Sequence, residues 1–131
     1  MPNDHYVIIG NGPAGNQAAV TLRQNSKDAE ITILSDEKLP YYYKPKLTGF
    51  IAGQINESDL IVKQPGFYEE NQIQVRLGQA VQKIDVEGKN LILEDMETIS
   101  YTGLIIASGS RARVLPSMEA YAEHLKFVAS Y

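Results

Sequence analysis

The sequence contains no cysteine, which excludes a disulfide scaffold, a thiolate metal site and any redox-active cysteine pair. It also lacks an excess of positive charge: twelve Lys and Arg stand against sixteen Asp and Glu, a formal net charge of -4. The basic residues are scattered, so nucleic acid is not an expected partner. Long hydrophobic runs are missing too. The apolar stretch behind the amino terminus is only Tyr6 to Ile9 and follows no basic segment, too short for a signal peptide or a membrane span. A cytoplasmic protein with no membrane partner is expected. No biased tract or internal repeat is visible. What remains is ordinary: 131 residues, 44% hydrophobic and 21% charged, with ten Gly and six Pro. That is the composition of a globular domain able to bury roughly two thirds of its unfolded surface.

Tyr6-Val7-Ile8-Ile9 is a short β-branched run stopped by Gly10, which predicts a buried strand. The period then changes. Ala14, Ala18, Ala19 and Leu22 recur at helical spacing through Gln24, leaving Gln17, Thr21 and Arg23 for the wetter side. Glu30 to Leu34 is a second buried strand, so strand, helix and strand make a βαβ unit whose right-handed crossover sets the two strands parallel. Leu39 to Lys46 holds two prolines around three tyrosines and reads as loop. Short helices are expected over Lys46–Ala52, ended by Gly53, and over Pro65–Asn71 at a sheet edge. Gln74–Leu77 reads as a third main-sheet strand. Ala80–Asp85, Asn90–Leu93 and Thr98–Tyr101 read as an antiparallel meander, and Leu104–Ala107 as one more buried strand.

Gly10-Asn11-Gly12-Pro13-Ala14-Gly15 fits G-x-G-x-x-G between the first strand and the first helix, where a phosphate-binding turn belongs. Gly10 permits the tight turn, Gly12 lets backbone approach a pyrophosphate, and Gly15 lets helix and strand pack closely. The anion would rest on the helix N-terminus, at Pro13 and Ala14. Asp36 lies twenty-one residues after Gly15, with Glu37 beside it, and a carboxylate there can accept hydrogen bonds from ribose hydroxyls. The turn alone serves NAD, NADP and FAD alike.

The order of turn, acidic strand end, meander and the later Leu104-Ile105-Ile106-Ala107-Ser108-Gly109 resembles the amino-terminal FAD-binding part of the pyridine nucleotide-disulfide oxidoreductase superfamily. That resemblance implies a three-layer α/β, Rossmann-like domain with a parallel central sheet and an antiparallel β-meander. Ala107-Ser108-Gly109 stands where the family carries Ala-Thr-Gly close to the flavin nucleotide, and Arg113 stands where relatives carry an arginine near the cofactor. Asp36 to Leu47 is similar to the tyrosine-x-basic-proline segment of NAD(P)H-dependent rubredoxin and ferredoxin reductases and of the nitrite reductase large subunit. The resemblance assigns Lys44, with Pro45 beside it, to the flavin phosphates or ring edge, and Ala80 and Val81 to the adenine.

The function implied is the FAD portion of an NAD(P)H-dependent oxidoreductase, taking hydride from NAD(P)H and passing electrons to an acceptor such as a redox protein. Residues 1–116 would form the FAD-binding domain, and 117–131 a truncated lead-in to an NAD(P)H-binding domain, leaving the chain inactive by itself. Asp95-Met96-Glu97 departs from the family's usual Asp-Gly turn. A free-standing NAD-binding module and a ligand-free interaction fragment are the rival readings. His5 and His124 have no ligand spacing and no Ser-His-Asp order stands out, so neither a metal site nor catalytic residues are expected.

Overall fold

A computed structural model describes residues 3–124. The segment Lys126–Tyr131, expected to resemble the lead-in to a further domain, lies outside the described residues. Strand β1 (His5–Ile9) leads into helix α1 (Pro13–Asn25) and strand β2 (Glu30–Leu34). Helices α2 (Leu47–Ile51) and α3 (Pro65–Glu70) precede β3 (Ile73–Arg76). The strands β4 (Val81–Asp85), β5 (Asn90–Leu93), β6 (Thr98–Ser100) and β7 (Gly103–Ile106) follow.

The parallel sheet has the order β3-β2-β1-β7, and β4-β5-β6 form a separate antiparallel sheet. The two-residue period of the strands divides their side chains between two cores. On one face Ile8, Ile31, Ile33 and Ile73 pack against Ala19 of α1 and Tyr68 of α3. On the other, Val7 and Leu34 pack against Leu91, Leu93 and Ile99 of the meander. The result is three layers: helices, parallel sheet, meander. Val7 and Ile8 are wholly buried, and truncating Ile8 to alanine would cost about 2–5 kcal/mol.

Arg76 at the end of β3 ties sheet to meander. Its guanidinium donates to both Glu97 carboxylate oxygens, at 2.9 Å from Nη1 to Oε1, and to Gln79 Oε1 at 3.1 Å. The hydrogen bond from Arg76 holds the Glu97 carboxyl below its usual range. A satellite core of Tyr42, Leu47 and Leu60 closes the 39–61 segment, where Tyr42 and Ile61 form an antiparallel bridge. Of the three loop tyrosines, only Tyr42 is buried.

Three sequence expectations need correction. Leu104–Ala107 is not a buried strand: β7 is the edge of the sheet among the described residues, and Ile106 is 63% exposed. Ala14 does not face the core, because the first turn of α1 projects past the strand ends and leaves it exposed at the rim of a cleft. Arg23 is half-buried, not solvated. Its Nε and Nη2 donate to the Asn71 and Gln72 carbonyls, and its Nη1 to those of Ser26 and Lys27. One side chain thereby staples the end of α1 to the α3–β3 turn.

Candidate functional site

The glycine turn joins β1 to α1 where the strand order changes direction, between β1 and its two parallel neighbours β2 and β7. Ligands of open α/β sheets bind at such a switch point. Each glycine there has a different physical reason. Gly10 has φ +114°, and a Cβ on it would run into the Ala107 carbonyl at the end of β7. A Cβ on Gly15 would run into the Gly10 carbonyl oxygen and touch Ile8. At Gly12 a Cβ would meet no protein atom within 4 Å, and its backbone is extended, φ -88°. Gly10 and Gly15 are therefore required by the fold, whereas the space beside Gly12 is left open by it.

Gly12 caps α1 without a side-chain hydrogen bond, and the helix starts with Pro13. The Asn16 N–H donates to Gly12 O at 3.0 Å as the helix begins, so the first-turn N–H groups have no intrahelical acceptor. Together with the positive end of the helix dipole they favour an anion. Asn11 adds a buried Nδ2 without a hydrogen-bond partner.

Two adjoining clefts open at this end of the sheet. The larger, about 620 Å³, is lined by Gly10, Gly12, Pro13, Ala14, Asp36, Glu37, Tyr41, Lys44, Ala107, Ser108 and Gly109. The smaller, about 350 Å³, is lined by Ala80, Val81 and Glu94. They share Gly10, Asp36, Ser108, Gly109, Ser110 and Arg111. Ala80 and Val81 reach the site because the chain after β3 is tied back to the end of β2: Gln79 N–H donates to Ser35 O at 2.7 Å and Gly78 N–H to Glu37 O at 2.9 Å.

Two ion pairs span the mouth. Arg111 Nη2 lies 3.2 Å from Asp36 Oδ2, and Lys44 Nζ lies 3.4 Å from Glu37 Oε1. All four groups are at least partly exposed, so these pairs hold little stability and their charges stay available to a ligand. Gly15 lies buried beneath the turn, and Pro45 and Arg113 line neither cleft. Arg111, two residues earlier, is the arginine at the site.

Sequence reasoning missed Asn16, which is 2% exposed. Its Nδ2 donates to Asn11 Oδ1 at 2.8 Å, Gly12 O at 2.9 Å and Asn11 O at 3.1 Å, and its Oδ1 accepts from the Tyr68 hydroxyl at 2.6 Å. The available signal was position: Asn16 precedes Ala19 by three and so shares its inward helix face.

Residues 4–131 match the family model described as pyridine nucleotide-disulphide oxidoreductase. The chain is 38% identical over 112 residues to the NADH-rubredoxin oxidoreductase of Clostridium acetobutylicum, covering 86% of this chain and 29% of that protein. It is 31% identical over 115 residues to the putidaredoxin reductase of Pseudomonas putida, covering 87% of this chain and 27% of the relative. Among solved structures, the covalent putidaredoxin reductase-putidaredoxin complex superposes with a TM-score of 0.83 at 30% identity, over 91% of this chain and 29% of that one. The NADH:rubredoxin oxidoreductase from Clostridium acetobutylicum superposes with a TM-score of 0.79 at 36% identity, over 87% and 30% of the two chains. The chain thus spans roughly three tenths of the length of these relatives.

Proposed function

The chain belongs to the pyridine nucleotide-disulphide oxidoreductase family, and on that premise we propose that it is the FAD-binding portion of an NAD(P)H-dependent flavoprotein reductase. The family binds FAD and uses NAD(P)H as substrate. One observation carries the assignment to these residues: of the three turn glycines, only Gly12 faces space that protein atoms leave empty, which is what backbone needs in order to meet a pyrophosphate.

The turn and the α1 N-terminus bind the pyrophosphate through backbone N–H groups. Asp36 accepts hydrogen bonds from ribose hydroxyls, which requires Arg111 to share or release it. The cleft at Ala80 and Val81 receives the adenine, and the larger cleft takes the ribityl and ring side, with Lys44 available to phosphate or ring edge. Bound there, FAD supplies hydride acceptance and one- or two-electron release. Ala107, Ser108 and Gly109 place small residues against the nucleotide. Asp36, Glu37, Lys44 and Arg111 put two charges of each sign at the mouth.

The electron acceptor is a small redox protein, as the names of the relatives with rubredoxin and putidaredoxin indicate for those proteins. Residues 1–116 make the FAD-binding unit, 117–131 lead toward a nicotinamide-binding part, and the setting is the cytoplasm. Among the described residues no helix is long and apolar enough to cross a membrane.

The 131 residues carry one G-x-G-x-x-G turn, which FAD would fill, so this chain by itself oxidises no NAD(P)H. Hydride transfer needs both cofactors held in reacting geometry, and a second phosphate-binding turn would be required for that. The test is to saturate the purified chain with FAD, record its flavin spectrum against free FAD, and mix anaerobically with NADH or NADPH. A perturbed spectrum with bleaching no faster than that of free FAD is expected. An unperturbed spectrum at millimolar FAD would end the binding assignment, and faster bleaching would end the claim of inactivity.

A further inference from the structure

We propose that Tyr68 and Asn16 are positioning residues for the phosphate-binding turn, a buried hydrogen-bond chain from α3 that sets the turn's affinity for a dinucleotide pyrophosphate. The proposal rests on the reading of the cleft given above and deepens it.

Asn16 and Tyr68 are 2% and 5% exposed. Buried polar side chains are hydrogen-bonded almost without exception, and these two satisfy each other while also gripping the turn. Tyr68 comes from a helix 52 residues away in sequence and donates to Asn16 Oδ1 at 2.6 Å. That bond fixes which way the Asn16 amide faces, so its Nδ2 is aimed at the turn. There it meets the carbonyls of Asn11 and Gly12 and the Asn11 side chain, all within 3.1 Å.

The consequence follows from peptide geometry. In a trans peptide the carbonyl and the N–H point in opposite directions. Holding the Asn11 carbonyl toward Asn16, on the buried side, turns the Gly12 N–H away from the core, to the side where Gly12 borders the cleft. Gly12 O is held twice, by the Asn16 main-chain N–H at 3.0 Å and by its Nδ2 at 2.9 Å. An apolar residue at position 16 would fill the core as well but would leave the turn free to rotate its peptide planes. Preorganised donors bind an anion without the cost of ordering them.

The test uses the whole 131-residue chain and compares ADP, which carries a pyrophosphate, with adenosine, which does not, by amide NMR titration. In the parent, ADP binds. In Tyr68→Phe, ADP affinity is expected to fall about five- to tenfold, the size of one lost hydrogen bond, while adenosine affinity is unchanged. The Gly10, Gly12 and Gly15 amide resonances should shift in the ligand-free variant. A second variant, Tyr68→Phe with Asn16→Leu, removes the whole Tyr68–Asn16 link and with it the side-chain donor to Asn11 O, Asn11 Oδ1 and Gly12 O, and should lose at least as much ADP affinity. Parental ADP affinity in a folded variant overturns the proposal, and so does an equal loss for ADP and adenosine. Unfolding of both variants overturns it as well, since the pair would then be a determinant of the fold. A parent that fails to bind ADP overturns the nucleotide reading itself, a result visible before any substitution is made.

Discussion

Gly10 and Ala107 meet so closely that no side chain fits between them: a Cβ on Gly10 would lie far inside van der Waals contact of the Ala107 carbonyl oxygen. This contact brings the phosphate turn after β1 and the Ala107-Ser108-Gly109 stretch after β7 to a single edge of the cleft, although they lie almost a hundred residues apart in sequence. The φ of +114° at Gly10 adds a second constraint. Gly10→Ala is therefore expected to lose more than about 3 kcal/mol of stability. Thermal denaturation checks this, and a melting temperature equal to the parent's would mean that the two strand ends separate easily.

The α1–α3 staple is testable in the same way. Arg23 donates to four carbonyls, including that of Gln72, which sits at φ +52°. Arg23→Ala should cost about 2 kcal/mol, and Arg23→Lys should recover little, because one ammonium lacks the planar fork that spans both chain segments. Urea denaturation of both variants measures the difference. A lysine variant as stable as the parent would show that charge alone suffices.

The strands and the glycine turn were legible because their signals are local: β-branched runs, a change of period at Gly10, and glycines at fixed offsets. The roles of Asn16 and Arg23 were not. A polar residue in a helix reads as solvent-facing unless its partner is known, and the partners here, Tyr68 and the Asn71–Gln72 backbone, lie about fifty residues away. Strand β7 reads as buried from its composition, since Leu104-Ile105-Ile106 does not reveal which neighbour covers it. Arg111 and Arg113 are chemically alike, and only the path of the chain after Gly109, at φ +68°, brings the former to the cleft.

Met96 lies in the turn between β5 and β6. It adopts φ +70°, and the turn closes through Met96 N–H to Leu93 O at 3.0 Å and Leu93 N–H to Glu97 O at 2.9 Å. The left-handed conformation is unfavourable for methionine and free for glycine. Its side chain is 71% exposed, so little packing is lost. Met96→Gly should raise stability by about 0.5–1 kcal/mol, the strain relief exceeding the added entropy of the unfolded chain. A lower melting temperature in the variant would contradict this.

Burial, with Tyr41 as a lesser contributor, pushes the Tyr68 phenol up to about 12. In the unfolded chain the group titrates near its ordinary value of about 10. The raised value means that the folded state keeps its proton longer, so this contribution to stability is complete below about pH 10 and is lost as the pH rises toward 12. Tyr68→Phe lacks the titrating group, and its stability should fall less between about pH 10 and 12 than the parent's. Urea midpoints across that range decide it; parallel slopes would place the Tyr68 hydroxyl in contact with water.

The most direct measurement of the dinucleotide assignment is calorimetric titration of FAD into the parent and into Gly12→Val, with thermal melts of both. Valine at position 12 enters only the open space of the cleft, so the variant is expected to melt within a few degrees of the parent (about 1 kcal/mol or less) while its heat of FAD binding disappears. Equal FAD affinity in parent and variant, or no binding by either at millimolar FAD, would contradict the assignment of the turn as the pyrophosphate site.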